Sequence, residues 1–252
     1  MTPRPHRRIP HPPPPPRLLR PLHRLGDLAR RGFAWWLDYA YVGFWQAHAF
    51  LFPASNRRFL EDTDPAAAPV LLIPGIYETW QFLHPVAKRL HSLGHPVHVV
   101  HGLGYNSGTI EAMAALVAAH LRENDLRDVV IVAHSKGGLI GKTVMSATDQ
   151  GHRVRSMVAI NTPFSGSVYA RFAPLRSIQE FSPLDAGLIR LAENLEINRS
   201  IVSIYSLFDP HIPGGSYLEG ATNVQLDTMG HFRPIADHRL LAAVQESLPP
   251  RP

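Results

Sequence analysis

The decapeptide from Val129 to Gly138, Val-Val-Ile-Val-Ala-His-Ser-Lys-Gly-Gly, constrains this 252-residue chain more than any other segment. Four β-branched residues in succession suit a strand buried on both faces of a parallel sheet. The run stops at Ser135 between small residues and passes into a helical pattern. The serine therefore falls at a strand's carboxyl end, where open α/β sheets place ligands. A sharp strand-to-helix turn of the G-x-S-x-G kind tolerates little bulk two residues on either side of the serine. Ala133 and Gly137 meet that requirement. An ordinary serine in a glycine-rich turn is the rival reading, but it accounts for neither the strand before nor the helix after.

The rest of the chain from Pro69 onward agrees with this. Short β-rich runs alternate with helical patterns, which predicts an α/β fold with a mostly parallel central sheet and helices on both faces. The expected strands are 70–74, 97–101, 129–133, 157–160, 201–206 and 224–226. Between the second and third, Ile110, Met113, Leu116, Val117 and Leu121 recur near a 3.6 period and predict a helix over about 109–123. No repeat of 20 to 50 residues is present, so a solenoid is excluded.

The N-terminal portion is different in kind. Residues 1–25 are rich in Pro, Arg and His, with five consecutive prolines from Pro12 to Pro16, and predict a disordered tail. Residues 26–65 form an aromatic extension that includes Trp35, Trp36, Tyr39, Tyr41, Phe44 and Trp45. Its apolar part, Phe33 to Pro53, is about long enough to cross a bilayer, but Asp38, Gln46 and His48 interrupt it. One or two helices packing on the main domain are expected, with an interfacial membrane anchor as the first alternative and a true span or signal as the second. The basic stretch ahead of it is too long for a signal-peptide n-region, which favours a cytoplasmic or membrane-associated protein over a secreted one.

Charge and cysteine content remove several classes of function. The net charge of +5 suggests nucleic acid, yet residues 1–32 hold eight arginines against Asp27 alone, leaving the remainder at −2. The main domain, residues 66–252, is thus no nucleic-acid binder. The absence of cysteine excludes disulfides, thiolate metal sites and cysteine nucleophiles.

A serine hydroxyl needs a base to take its proton and a carboxylate to hold that base's tautomer. In this sheet type both come from later strand ends, in the order Ser, Asp, His. Asp209 follows the strand 201–206, and His231 follows the strand 224–226. His211 and His238 compete for the role of base, but the first sits in the acid's own loop and the second in the final helix. Asp227 competes with Asp209; the latter is preferred because it precedes His231 by one strand, and Asp185 falls in the lid segment. The oxyanion of a tetrahedral intermediate would take the backbone N–H of Lys136, at a helix N-terminus, and that of Ile76 in the turn Pro74-Gly75-Ile76-Tyr77.

These motifs resemble the α/β-hydrolase superfamily. They are similar to small bacterial lipases and esterases that carry Ala-His-Ser-x-Gly-Gly, here Ala133 to Gly138. Further points of likeness are Gly75-Ile76, the segment Thr162-Pro-Phe-Ser-Gly166, and Asn223-Val-Gln225 followed by Gly230-His231, over roughly residues 69–248. The resemblance implies an α/β-hydrolase fold with a short helical lid at about 165–199. It also implies a serine esterase that needs no cofactor or metal and acts on a small-molecule or lipid ester, and the aromatic residues near the predicted mouth favour a medium-length apolar acyl chain. Ser135 would be nucleophile, Asp209 orienting acid and His231 base. Gly75, Tyr77, His134 and Phe164 are expected to contact substrate. Tyr77, Trp80, Phe82, Phe164, Tyr169 and Phe172 are expected around the pocket mouth. Lys136 stands where the family has Met or Gln, which would place a cation by the site.

Other readings remain. An acyltransferase or thioesterase would use the same three residues, and an inactive hydrolase fold could serve as a scaffold. Gly102, Gly104 and Gly108 miss the G-x-G-x-x-G spacing by one residue. His91, His95, His98 and His101 have usable metal spacing but straddle a helix end, a turn and a strand.

Overall fold

The computed structural model describes residues 20–52, 55–147 and 151–249. Among them, six strands form one sheet, all pairs parallel: β1 (Val70–Ile73), β2 (Val97–Val99), β3 (Val129–His134), β4 (Val154–Ile160), β5 (Ile201–Phe208) and β6 (Thr222–Met229). Their order is β2-β1-β3-β4-β5-β6. Every residue of β1 and β3 is buried, as the unbroken apolar runs require.

Successive side chains enter opposite cores. Leu71, Ile73, Ile131 and Ala133 join one, with residues of α3 (Ile110–Glu123) and α4 (Lys136–Ser146). Val70, Leu72, Val130 and Val132 join the other, with residues of α2 (His84–Ser92) and α8 (His238–Glu246). Thr109 stays outside α3 as its N-cap and accepts a hydrogen bond from the Ala112 N–H. Strand order reverses at β1, which lies between β2 and β3, and that reversal leaves a crevice at the carboxyl ends of β1 and β3.

β6 is longer than the expected 224–226 because it is an edge strand. Apolar Val224 and Leu226 alternate with exposed Gln225 and Asp227, a pattern that a search for continuous apolar runs undercounts. β4 likewise begins at Val154, three residues early, with Arg155 facing solvent.

Helix α1 runs unbroken from Arg20 to Leu51, about 48 Å at 1.5 Å per residue. The disordered tail expected over 1–25 is therefore corrected for residues 20–25, which are helical. Pro21 occupies the first turn, where a missing N–H costs no helical hydrogen bond. Residues 1–19 lie outside the described residues. Ala34, Asp38, Trp45 and Ala49 make the inward stripe of α1, and the Tyr41 hydroxyl donates to the Phe82 carbonyl at 2.9 Å. Among the described residues no helix is long and apolar enough to cross a membrane.

Between β4 and β5 the chain forms three short helices, α5 (Arg176–Gln179), α6 (Ala186–Glu193) and α7 (Leu195–Asn198). Asp185 caps α6 by accepting from the Leu188 N–H, and Leu188 anchors it in the core.

Candidate active site

Ser135 sits between β3 and α4 with φ +51° and ψ −123°, a conformation that costs a non-glycine residue on the order of 1–3 kcal/mol. The turn closes because Gly137 lacks a side chain: a Cβ there would lie 2.3 Å from the Ile73 carbonyl oxygen of β1. The turn thus lifts the hydroxyl above the crevice, with the Ser135 N–H donating to the Ile160 carbonyl of β4 at 2.9 Å.

His231 and Asp209 come to it from the ends of β6 and β5. His231 Nε2 lies 2.9 Å from Ser135 Oγ, and His231 Nδ1 lies 2.6 Å from Asp209 Oδ2. The other carboxylate oxygen of Asp209 accepts from the N–H groups of His211 and Ile212 at 2.8 and 3.1 Å. Burial acts to raise the Asp209 carboxyl, but the charge and hydrogen bond of His231 outweigh it and hold the group below the usual carboxylate range. Burial acts to lower His231, but the charge and hydrogen bond of Asp209 prevail and hold the imidazole above its ordinary value. This arrangement can accept the serine proton and stabilise the imidazolium that results.

The rivals lie elsewhere. Asp227 is exposed on β6, where its carbonyl accepts from Arg239. His238 starts α8 with its ring in solvent beside Asp237. His211 lines the pocket, with its ring centroid 5.1 Å from that of His231.

The sequence did not reveal how the His231 loop is held. Asp38, fully buried in α1, accepts three backbone N–H bonds: from His231 at 2.8 Å, Phe232 at 2.8 Å and Arg233 at 2.7 Å. The last residue starts a 3-10 turn at Arg233–Ala236, so the carboxylate caps it. Gly230 makes room, since its Cβ would stand 2.6 Å from Asp38 Oδ1 and its φ of +115° suits glycine. On the other side the His231 carbonyl accepts from Asn161 Nδ2 at 2.9 Å and His134 Nε2 at 3.0 Å. Read from sequence, Asp38 only interrupted an apolar run.

His134 is accordingly not a substrate contact. It is fully buried, and its Nδ1 lies 2.8 and 3.0 Å from the two carboxylate oxygens of buried Glu78. Glu78 also accepts from the Gly75 N–H at 2.7 Å, and so joins the turn 75–78 to the His231 loop. Gly75 acts through this turn and lies outside the pocket lining. Tyr77 has φ +57°, and its carbonyl accepts from Gln46 of α1 at 2.7 Å. Among the described residues no backbone carbonyl accepts from the N–H of Ile76 or Lys136.

Ser135 and His231 open into a cavity of about 250 Å³, lined by Ile76, Tyr77, Tyr169, Ile178, Phe181 and Phe232. Phe164 is a second correction: it is buried in the core behind α4 and does not reach the pocket, because the Thr162-Pro163 turn directs it inward. Trp80 belongs to the opposite core, Phe82 is fully buried against Tyr41 of α1, and Phe172 is largely in solvent. Nor does Lys136 place a cation at the site. Its ammonium turns away to the carbonyls of Asn106 and Gly108, and burial lowers it to about 8 despite Glu180. The four histidines with metal-like spacing do not converge; His91, His95 and His101 face Glu61, Ala68 and Asn56 respectively.

No family model matches the chain, and no curated protein matches it in sequence. Solved structures do. The mature form of the Bacillus licheniformis lipase BlEst2 superposes with a TM-score of 0.61 at 16% identity, over 75% of this chain and 96% of that one. An extracellular α/β-hydrolase from a Paenibacillus species gives 0.52 at 18% identity, over 71% and 98%. A structure from work on carboxylesterases of the thaumarchaeon Nitrososphaera gargenis gives 0.53 at 13% identity, over 73% and 90%. The chain has the α/β-hydrolase fold.

Proposed function

We propose that this α/β-hydrolase-fold protein is a serine carboxylic-ester hydrolase of the lipase or esterase type, with Ser135 as nucleophile, His231 as general base and Asp209 as its orienting acid. The observation that carries the reading is the continuous hydrogen-bonded chain from Ser135 Oγ through both ring nitrogens of His231 to Asp209. As Ser135 Oγ attacks the ester carbonyl carbon, His231 Nε2 takes the hydroxyl proton. The former carbonyl oxygen then receives hydrogen bonds from the N–H groups of Ile76 and Lys136. Collapse expels the alcohol, which leaves with the proton from His231. Water, deprotonated by His231, attacks the acyl-serine; collapse breaks the bond to Ser135 Oγ, which takes the proton back from His231, and releases the free carboxylic acid.

The pocket supports the acyl preference. At about 250 Å³ it falls near the lower end of small-ligand sites, and its walls are mostly aliphatic and aromatic. A medium-length apolar acyl chain fits it better than a bulky polar group. A fluorophosphonate probe tests the reaction: Ser135 becomes labelled and Ser135→Ala does not. Absence of labelling in the wild type, or equal labelling of the variant, would remove the enzymatic reading. A chain-length series of p-nitrophenyl esters then locates the acyl optimum.

A further inference from the structure

The inward stripe of α1 is spent on the active-site loops, and its outward side is unusual for a surface helix. From Gly32 to Phe52, about 30 Å of helix, the exposed residues are Gly, Ala, Phe, Trp, Tyr and Leu, and none carries a charge. Trp36 is 64% exposed, Phe44 59% and Phe50 79%. An apolar surface of that extent marks a docking face. Exposed arginines bound it at both ends, Arg30 and Arg31 before it and Arg57 and Arg58 after it, of which Arg57 pairs with Glu61 at 3.6 Å. The sequence ahead of Arg30 adds six further arginines against one acid, Asp27.

We infer that α1 docks this protein on an anionic lipid surface, its aromatic face at the acyl-headgroup boundary and the flanking arginines on lipid phosphates. The helix would lie along the interface, since it is not apolar enough to span. The charge pattern favours this occupant over a second copy of the chain. A two-fold pairing of α1 faces would set arginine pairs against arginine pairs, whether the helices ran parallel or antiparallel. A phosphate-bearing surface neutralises those left unpaired, at roughly fivefold in affinity for each basic residue. Amphipathic Trp and Tyr suit the interfacial layer.

The same face leads to the serine. Trp35 and Tyr39 line a groove of about 1130 Å³ between α1 and the loop after β5, and that groove shares Tyr169, His211 and Ile212 with the Ser135 pocket. Docking α1 would bring the groove mouth to the lipid.

The test is co-flotation of the full chain with phosphatidylcholine vesicles, with and without 30% phosphatidylglycerol, at low and high salt. Binding is expected to the anionic vesicles and to fall with salt. The variants Trp36→Asp and Phe44→Asp should each weaken it about tenfold or more, the loss expected for one buried aromatic. Arg30→Gln with Arg57→Gln should weaken it roughly 25-fold, about fivefold per charge. None of the four side chains lines the pocket, so hydrolysis of a soluble short ester should stay at the wild-type rate and certify the fold. Equal binding to neutral vesicles, or binding unaffected by the aromatic variants, would overturn the inference. So would a dimer in sedimentation equilibrium that Trp36→Asp converts to monomer without any vesicle binding, which would assign the face to a second copy. The readout is independent of ester hydrolysis, so failure of either reading leaves the other standing.

Discussion

Ser135 and His231 are held by two different regions in two different ways. The serine is held within the sheet itself: β3 delivers it, α4 starts on it, its N–H donates to Ile160 of β4, and Gly137 lets that start pack on β1. The histidine is held through partners far away. Its backbone N–H goes to Asp38 of α1, 193 positions earlier, and its carbonyl to Asn161 and His134, 70 and 97 positions earlier. The serine turn is set by the strands beside it, whereas the histidine loop depends on a helix that lies outside the sheet. Helix α1 also holds the turn 75–78 through Gln46 and the Tyr77 carbonyl. It therefore braces the base and the candidate oxyanion turn together.

The most severe test of that contrast leaves every backbone contact in place. Asp209→Asn is expected to lower kcat about 10⁴-fold, because the amide favours the wrong imidazole tautomer. His231 is raised above its ordinary value mainly by Asp209 against burial, so the acid limb of kcat/KM in the wild type should lie above about 6.5. The variant should bring that limb down. A limb that stays in place would show that Asp209 is not the partner that sets the base.

Asp38→Asn probes the remote brace. An amide cannot accept three N–H bonds in this geometry, and a misplacement of about 1 Å can cost on the order of 100-fold in kcat. Asp38 also contributes charge that raises His231. The acid limb should accordingly move to lower pH while KM for a short ester is unchanged. Stability should fall by about 2–3 kcal/mol from the lost charge-assisted bonds. A stable variant with full kcat and an unshifted profile would reduce α1 to a passive covering.

Glu78→Gln separates the two devices, since Glu78 touches the turn at Gly75 and, through His134, the histidine loop. We expect a roughly tenfold loss of kcat with little change in KM, partly restored by Glu78→Asp. Equal losses in both parameters would place the effect in the pocket instead.

The smallest effect comes from within the sheet region. Lys142 of α4 is fully buried, and among the described residues its ammonium has no hydrogen-bond partner. Burial lowers it to about 8, so the folded protein binds fewer protons than the unfolded chain between about 8 and 10.4 and stability rises with pH there. Lys142→Met should stabilise by about 1–3 kcal/mol at pH 7 and shrink that rise. It should not remove it, because Lys136 is lowered to about 8 as well. Unchanged denaturant midpoints at both ends of this range would rule out the buried charge as a cost.

Where the chain uses short-range rules, its sequence was sufficient. Continuous apolar runs place β1 and β3, a 3.6 period places α3, and small residues at 133 and 137 place the serine turn, because strand burial, helix period and turn sterics are decided within a few residues. The order Ser, Asp, His named the three residues that the structure brings within hydrogen-bonding reach. Only the tertiary structure decided what Asp38, Glu78 and His134 do, and that Phe164 and Lys136 turn away from the pocket. A buried carboxylate is recognised by the N–H groups it accepts, and here those groups come from a loop nearly two hundred residues later. No local pattern encodes a hydrogen bond across that distance; it exists only once the helix has packed.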